Sequence, residues 1–302
     1  MDHSTLMIVG IIVLAYVFDF INGFHDAGNS IATIVATGVL TPRQAVIWAA
    51  FFNFIAFAFF NLMVAKTIGK GIIDPSMITP SLIFSALMGA ISWNLITWYY
   101  GLPSSSSHAL IGGLAGAAIV RGGLTTLQST GLIKVAFGIF ITPLLGLLIG
   151  ALTGVILARY FKTGEDHHIN RWFKGLQLLS SALLSLAHGS NDAQKTMGII
   201  TALLISASLL EGPFHVPFWV VISCHIMISL GTLLGGWRIV RTMGSGITHL
   251  NPMRGCAAET SAAGIILAST EAGIPVSTTQ TVTGSIAGVG LSIHKEAHAG
   301  ES

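Results

Sequence analysis

Long apolar stretches alternate with short polar clusters along the whole chain. A helix that spans a bilayer needs about 20 mostly apolar residues, and stretches near 6–24, 44–65, 80–100, 132–158, 175–187, 194–210, 217–237 and 257–270 meet or approach that length. Several are short or interrupted, which predicts broken helices. The first stretch lacks a basic start and runs without an Ala-x-Ala-like site into Asn22-Gly-Phe-His-Asp-Ala-Gly-Asn29, so it is expected to be a retained span and not a cleaved signal. The water-facing stretch of length is Arg159 to Lys174, with Lys162, Glu165, Asp166, His167, His168 and Arg171. It is expected to be the central loop.

Composition turns this pattern into a class. The 302 residues are 52% hydrophobic and 9% charged, with a mean hydropathy of +0.78, whereas a soluble domain carries roughly 25% charged residues. The chain is therefore an integral membrane protein. Scarce charge also excludes a disordered chain and a nucleic-acid binder. A disulfide-stapled module is excluded because Cys224 and Cys256 stand alone in apolar stretches. A net charge of +2 says little about partners, and the 35 glycines point to close helix approach and broken helices.

The sequence repeats. Gly101-Leu-Pro-Ser-Ser-Ser-Ser-His-Ala-Leu-Ile-Gly-Gly-Leu-Ala-Gly116 recurs 172 positions later, without a gap, as Gly273-Ile-Pro-Val-Ser-Thr-Thr-Gln-Thr-Val-Thr-Gly-Ser-Ile-Ala-Gly288. Six positions are identical and two more keep a hydroxyl. Gly23-Phe-His-Asp-Ala27 likewise recurs as Gly189-Ser-Asn-Asp-Ala193, and the aspartate precedes the proline by 77 residues in one half and 83 in the other. Two motifs in one order imply duplication. The halves are 1–160, with a hairpin tip near 103–108, and 175–302, with a tip near 275–280, joined by a cytoplasmic loop at 161–174. If each tip belongs to a hairpin that enters and leaves on one side, the remaining crossings place the halves in opposite directions. That arrangement sets Arg43, Arg159, Lys162, Arg171, Lys174, Arg238, Arg241, Arg254 and Lys295 against Lys66, Lys70, Arg121 and Lys134, so the first side is cytoplasmic. The fold class expected is an all-α polytopic membrane protein with inverted repeats, broken helices and two re-entrant hairpins, the usual construction of secondary transporters.

Chemistry concentrates at these motifs. Asp26 and Asp192 lie in apolar surroundings, where a charged carboxylate costs at least about 2.5 kcal/mol. Each is flanked by neutral oxygens, from Asn22, Asn29, Ser30 and Thr33 in one case and Ser190, Asn191, Gln194 and Thr196 in the other. A carboxylate among neutral oxygens suits a hard cation, so a sodium site or a titrating proton carrier follows; the plain alternative is an aspartate that caps a half-helix. At the tips, proline ends one helix, and Ser104, Ser105, Ser106 and Ser107, or Ser277, Thr278 and Thr279, open the next. Hydroxyls and unpaired first-turn amides then share the positive end of a helix dipole, which is an anion site. Two such tips could surround a tetrahedral oxyanion. Lys195 is read as neutralising Asp192 or attracting the anion, and Glu259 as a third carboxylate of the cation site, with Asn22 and Asn191. His25 and His188 are read as hydrogen-bonded packing residues, with proton carriage or metal ligation as the alternative. Trp93, Asn94, Trp98, Tyr99 and Tyr100 are read as packing or an interfacial belt.

On these residues the sequence resembles the inorganic phosphate transporter (PiT) family of secondary carriers. Phe18-Asp-Phe-Ile-Asn-Gly-Phe-His-Asp-Ala-Gly-Asn-Ser-Ile-Ala-Thr33 resembles the bacterial form of the family's first signature, and Ala187-His-Gly-Ser-Asn-Asp-Ala-Gln-Lys-Thr-Met-Gly198 its second. The resemblance covers about residues 8–290. It implies import of inorganic phosphate coupled to Na+ or H+, with Asp26, Asn29, Asp192 and Gln194 at the signature positions and the hydroxyl tips around the phosphate. It implies Na+ on Asp26 and Asp192 if sodium is the coupling ion, residence in the bacterial inner membrane among lipid, and no cofactor, nucleic acid or enzymatic activity. Homo-oligomerisation is left open. Three departures stand out. Gly28 replaces an alanine, Gln280 replaces a histidine, and the second half is expected to lack the counterpart of 132–158. The rival readings are a transporter of sulfate or another tetrahedral oxyanion, an intramembrane hydrolase built on Ser106 or Ser107 with His108, and an ion channel.

Overall fold

In a computed structural model of the chain, residues 3–161, 167–245 and 247–299 are described. They form helices α1 (His3–His25), α2 (Ala27–Ala36), α3 (Pro42–Ile55), α4 (Met63–Lys70), α5 (Pro80–Tyr99), α6 (Ser106–Gly122), α7 (Ser129–Tyr160), α8 (His167–Ser206), α9 (Phe218–Leu234), α10 (Trp237–Ser245), α11 (Pro252–Glu271) and α12 (Thr278–Ala299). Among the described residues there is no strand beyond one isolated bridge, Ile73 to Leu127. Three helical stretches are long and apolar enough to cross a membrane, or five when each sharply bent pair counts as one.

The apolar side faces outward. Phe140, Ile133 and Leu148 on α7 are exposed, while α8 buries Ser181, Ser185, His188, Asn191, Asp192, Lys195, Thr196 and Thr201. Exposed apolar side chains around a polar interior suit lipid, where a helix also satisfies its own backbone. α8 is thus the polar axle of the molecule, wrapped by apolar helices.

Repeated sequence takes repeated shape. The pair α3 and α4 bends by 83°, and the pair α9 and α10 by 72°. They overlap the expected stretches 44–65 and 217–237, extend beyond each, and are broken helices of the kind the interrupted pattern predicts. The first bend occurs where the Asn61 side chain accepts the Met63 amide at 3.1 Å, the second at Gly235, whose φ of +66° suits glycine. α5 and α11 end alike: Gly101 and Gly273 both have φ +67°. The Leu102 amide donates to Thr97 O at 2.9 Å and the Ile274 amide to Ser269 O at 2.8 Å, the six-to-one bond of a Schellman cap. An alanine at Gly101 is expected to cost about 1–2 kcal/mol from this left-handed backbone alone, measured as a lowered unfolding midpoint in detergent.

Two expectations change. The stretches 175–187 and 194–210 are one continuous 40-residue helix, and it begins at His167, inside the segment expected as loop. The reason lies one turn either side of the aspartates. Asp192 has His188 four residues before it and Lys195 three residues after it, both paired with it along α8. The same positions around Asp26 are Asn22 and Asn29, which offer no countercharge, and there the helix breaks between α1 and α2. Lys162, Glu165 and Asp166 lie outside the described residues, as do the side chains of His167, His168 and Lys295.

α7 and α12 pack through small residues. Gly138, Thr142, Gly146, Gly150 and Gly154 repeat every fourth position on the buried face of α7. A Cβ on Gly146 would stand 2.7 Å from Thr281 O, and one on Gly138 2.5 Å from Pro275 O. Between helices in lipid, such close backbone approach supplies the association energy.

Candidate functional site

The break after α1 brings Asp26 to the start of α2, and the two hairpin tips bring the starts of α6 and α12 to meet it. Asp26 Oδ2 accepts from Ser106 Oγ at 2.8 Å, and its Oδ1 lies 2.8 Å from His25 Nδ1 and 3.5 Å from the donating Thr279 hydroxyl. Asp192 pairs with Lys195, lies 3.1 Å from His188 Nε2, and accepts from Thr278 Oγ1 at 3.3 Å. Ligand atoms of Asp26, His188 and Asp192 all fall within 4.8 Å of one another. Two carboxylates from distant parts of the chain therefore share one buried centre.

The tips touch directly. Ser107 Oγ donates to Val276 O at 2.8 Å, and Thr279 Oγ1 donates to Ser104 O at 3.3 Å. Asn29 Nδ2 ties the second tip to α2, donating to Thr278 at 3.1 Å and to Thr279 at 2.9 Å. Lys195 Nζ donates to Ser107 Oγ, and at 3.0 Å to Val276 O. Its ammonium thus stands between the two helix starts. Ser106, Ser107, Ser277, Thr278 and Thr279 are each at most 2% exposed, so the centre is closed from both sides in this conformation.

The expected hydroxyls divide by task. Ser106, Ser107, Thr278 and Thr279 face the centre. Ser105 and Ser277 cap their helices, accepting from the amides of His108 and Gln280 at 3.2 Å each. The Ser104 hydroxyl turns away to accept from Trp93 Nε1 at 3.1 Å. Among the expected cation residues, Asn191 holds the second tip in place, its side chain reaching Thr270 at 2.9 Å and accepting from the Val276 amide at 3.4 Å. Asn22 is buried with neither amide atom bonded.

Two expected members stand elsewhere. Gln194 accepts from the Val64 and Ala65 amides at 3.0 and 3.2 Å and donates to Asn61 O at 2.7 Å. It completes the first turn of α4, whose amides have no intrahelical acceptor. Glu259 accepts from Thr33 at 2.6 Å, from Gln177 at 3.0 Å and from Ser180. It forms a separate, fully bonded cluster between α2, α8 and α11. The flanking oxygens assigned to Asp26 from sequence are likewise not its partners, because a helix places i+4 and i+7 on faces that here meet other helices.

Sequence reading gave too little weight to His25. Its Nδ1 contacts Asp26 Oδ1 at 2.8 Å, and its Nε2 lies 3.0 Å from Thr97 Oγ1, a hydroxyl that also reaches the Trp93 and Asn94 carbonyls at 3.0 and 3.2 Å. The ring thus ties Asp26 to the C-terminal end of α5. The adjacency of His25 to Asp26 in sequence was the available signal. Arg238 was also missed as a positioning residue: it donates to Tyr99 O and stacks 5.2 Å from both Trp98 and Tyr99, holding the C-terminal end of α5.

A cavity of about 550 Å³ lies beside α2, lined by Ala32, Val35, Trp237, Arg241 and His249 among others. It sits apart from the paired aspartates, and the charge and hydroxyl geometry identifies the centre better than cavity size does.

Comparison with known proteins is consistent throughout the chain. Residues 22–299 match the phosphate transporter family. A probable low-affinity inorganic phosphate transporter of Rhizobium meliloti (strain 1021) is 57% identical over 284 residues, covering 94% of this chain and 85% of the relative. One of the same description from Bacillus subtilis (strain 168) is 44% identical, covering 97% and 88%. A solved structure described as the sodium-dependent phosphate transporter superposes with a TM-score of 0.84 at 26% identity, covering 96% of this chain and 91% of that one.

Proposed function

This chain belongs to the phosphate transporter family, and from that membership we propose that it imports inorganic phosphate with Na+ by alternating access, in the bacterial inner membrane. The observation that carries the reading is the convergence of two aspartates with two hydroxyl-rich helix starts. In the closed centre the carboxylates accept from Ser106 and Thr278. A bare phosphate 4 Å from either carboxylate would be repelled by about 4 kcal/mol at an effective dielectric of 20, so a cation must arrive first. Sodium on Asp26 and Asp192 releases those hydroxyls. They then turn with Ser107, Thr279, the first-turn amides of α6 and α12, Asn29 and Lys195 toward the phosphate oxygens. Hairpins carrying the tips shift against α8 to change which side is open. The relation of the two bent pairs and two capped hairpins supports a duplicated, inverted architecture.

One observation favours proton coupling as a second reading, namely the direct contact of His25 Nδ1 with Asp26 Oδ1 at 2.8 Å. Phosphate uptake into proteoliposomes under a Na+ gradient alone and a proton gradient alone decides between them. Asp26→Asn removes at least two charge-assisted interactions of about 1.5 kcal/mol each, so uptake is expected to fall about 100-fold or more. Unchanged uptake in Asp26→Asn would refute the role given to this carboxylate. Excess sulfate is expected not to compete; competition equal to that of unlabelled phosphate would make the protein a general oxyanion carrier.

A further inference from the structure

The duplication gives Asp19 no acidic counterpart, since the matching position in the second half is Ser185. Asp19 lies on α1, fully buried, and neither carboxylate oxygen has a hydrogen-bond partner. Among the other buried side chains in the same condition are Asn22 on α1, Asn94 on α5 and Thr196 on α8, each 0% exposed with every side-chain polar atom unbonded. Unsatisfied buried polar groups are rare and destabilising in folded proteins.

The four belong to one place. Asp19 faces Thr196, and beyond it Cys224 on α9, with neither at hydrogen-bonding geometry. Asn22 is three residues on and shares the face of α1. His25, one turn further, meets Thr97, and Phe24 packs on Trp98 with ring centroids 5.2 Å apart. The C-terminal ends of α1 and α5 thus lie together. Asn94 is three residues before Thr97 on α5, as Asn22 is three residues before His25 on α1.

We propose that Asp19, Asn22, Asn94 and Thr196 form a second site for a monovalent cation of the sodium class, separate from the Asp26 and Asp192 centre. They bring five oxygens and one negative charge. Hard cations take such oxygens, and a single carboxylate balances a single positive charge. A divalent ion would need another carboxylate, and Asp192 is already engaged by Lys195. A proton on Asp19 would give a donor to at most one of the oxygens of Asn22, Asn94 and Thr196. The Cys224 sulfur is too soft to be a ligand for this ion. Asp19 is in electrostatic reach of Asp192 and Lys195, so an ion here adds positive charge beside the anion centre. That consequence, unlike the site itself, rests on the phosphate reading.

Equilibrium binding of radioactive sodium to the purified full chain in lipid nanodiscs, without phosphate, tests the site. Asp19→Asn is expected to bind one sodium per chain fewer than the parent, and Asp26→Asn to keep that sodium. Thr196→Val is expected to weaken that sodium's binding about tenfold, equivalent to 1.4 kcal/mol. Monodisperse elution of each variant checks folding, and Asp19→Glu should restore the count if Asp19→Asn elutes as aggregate. An unchanged sodium count in Asp19→Asn, loss of all sodium in Asp26→Asn, or no sodium bound by the parent would each overturn the proposal. Phosphate uptake on the same samples is a separate readout. Its absence in a parent that binds sodium refutes the phosphate reading and leaves the site standing.

Discussion

Lys195→Met is expected to stop phosphate uptake and to destabilise the protein by about 3–5 kcal/mol, because it leaves Asp192 as a buried charge without its main partner. The ammonium touches Asp192, Ser107 and the Val276 carbonyl at once, and its removal leaves Asp192 with His188 and Thr278 alone, while Ser107 and the Val276 carbonyl keep their bond to each other. A structural ion pair and a working one are separated by the double variant. Lys195→Met with Asp192→Asn removes both charges, and most of the lost stability should return, since neutral side chains of similar volume often replace buried pairs at little cost. Uptake should stay absent if the lysine meets the anion. Thermal unfolding in detergent and uptake into vesicles, run on both variants, give the two readouts. Recovery of uptake in the double variant would reduce Lys195 to a packing partner of Asp192.

Gly288→Leu is expected to cost as much function by a purely steric route. A Cβ there would run into the Leu147 carbonyl oxygen and lie 2.8 Å from the Ala151 amide nitrogen, and neither is a flexible side chain that can move aside. α12 must shift off α7, and the second tip sits at the N-terminal end of α12. Overpacking of this kind costs about 1–3 kcal/mol, and uptake should fall further than stability because Thr278 and Thr279 move with their helix. Gly112→Ala is the matched control. Nothing lies within 4 Å of a Cβ at Gly112, so alanine should be neutral or stabilise by about 0.5–1 kcal/mol. Equal uptake in Gly288→Leu and Gly112→Ala would remove any link between this helix contact and the tips.

The sequence made the tips and the paired aspartates legible for a physical reason. Proline, glycine and a run of hydroxyls have few local structures open to them, so Gly101 to Ser107 and Gly273 to Thr279 declare a helix end, a turn and a helix start without any tertiary information. The alternation of apolar stretches made the helical membrane class equally plain. Side-chain direction was not legible in the same way. Gln194 and Glu259 sit in or near polar runs of this chain, yet one bonds α4 and the other α2, because which face of a helix meets which neighbour depends on helices far away in sequence. The positions of the bends, at Asn61 and Gly235, escaped for the opposite reason: both flanks are apolar, and hydropathy alone reads straight through them. Asp19 escaped because its meaning comes only from what surrounds it.

The unequal treatment of the two aspartates has a mechanical outcome. Asp192 is riveted into an unbroken 40-residue rod by neighbours of its own helix, whereas Asp26 sits at a joint between two separate helices. Under the alternating access proposed above, movement is expected at the break between α1 and α2 and not along α8, so crosslinks that immobilise α2 against α10 should arrest turnover where crosslinks along α8 leave it running.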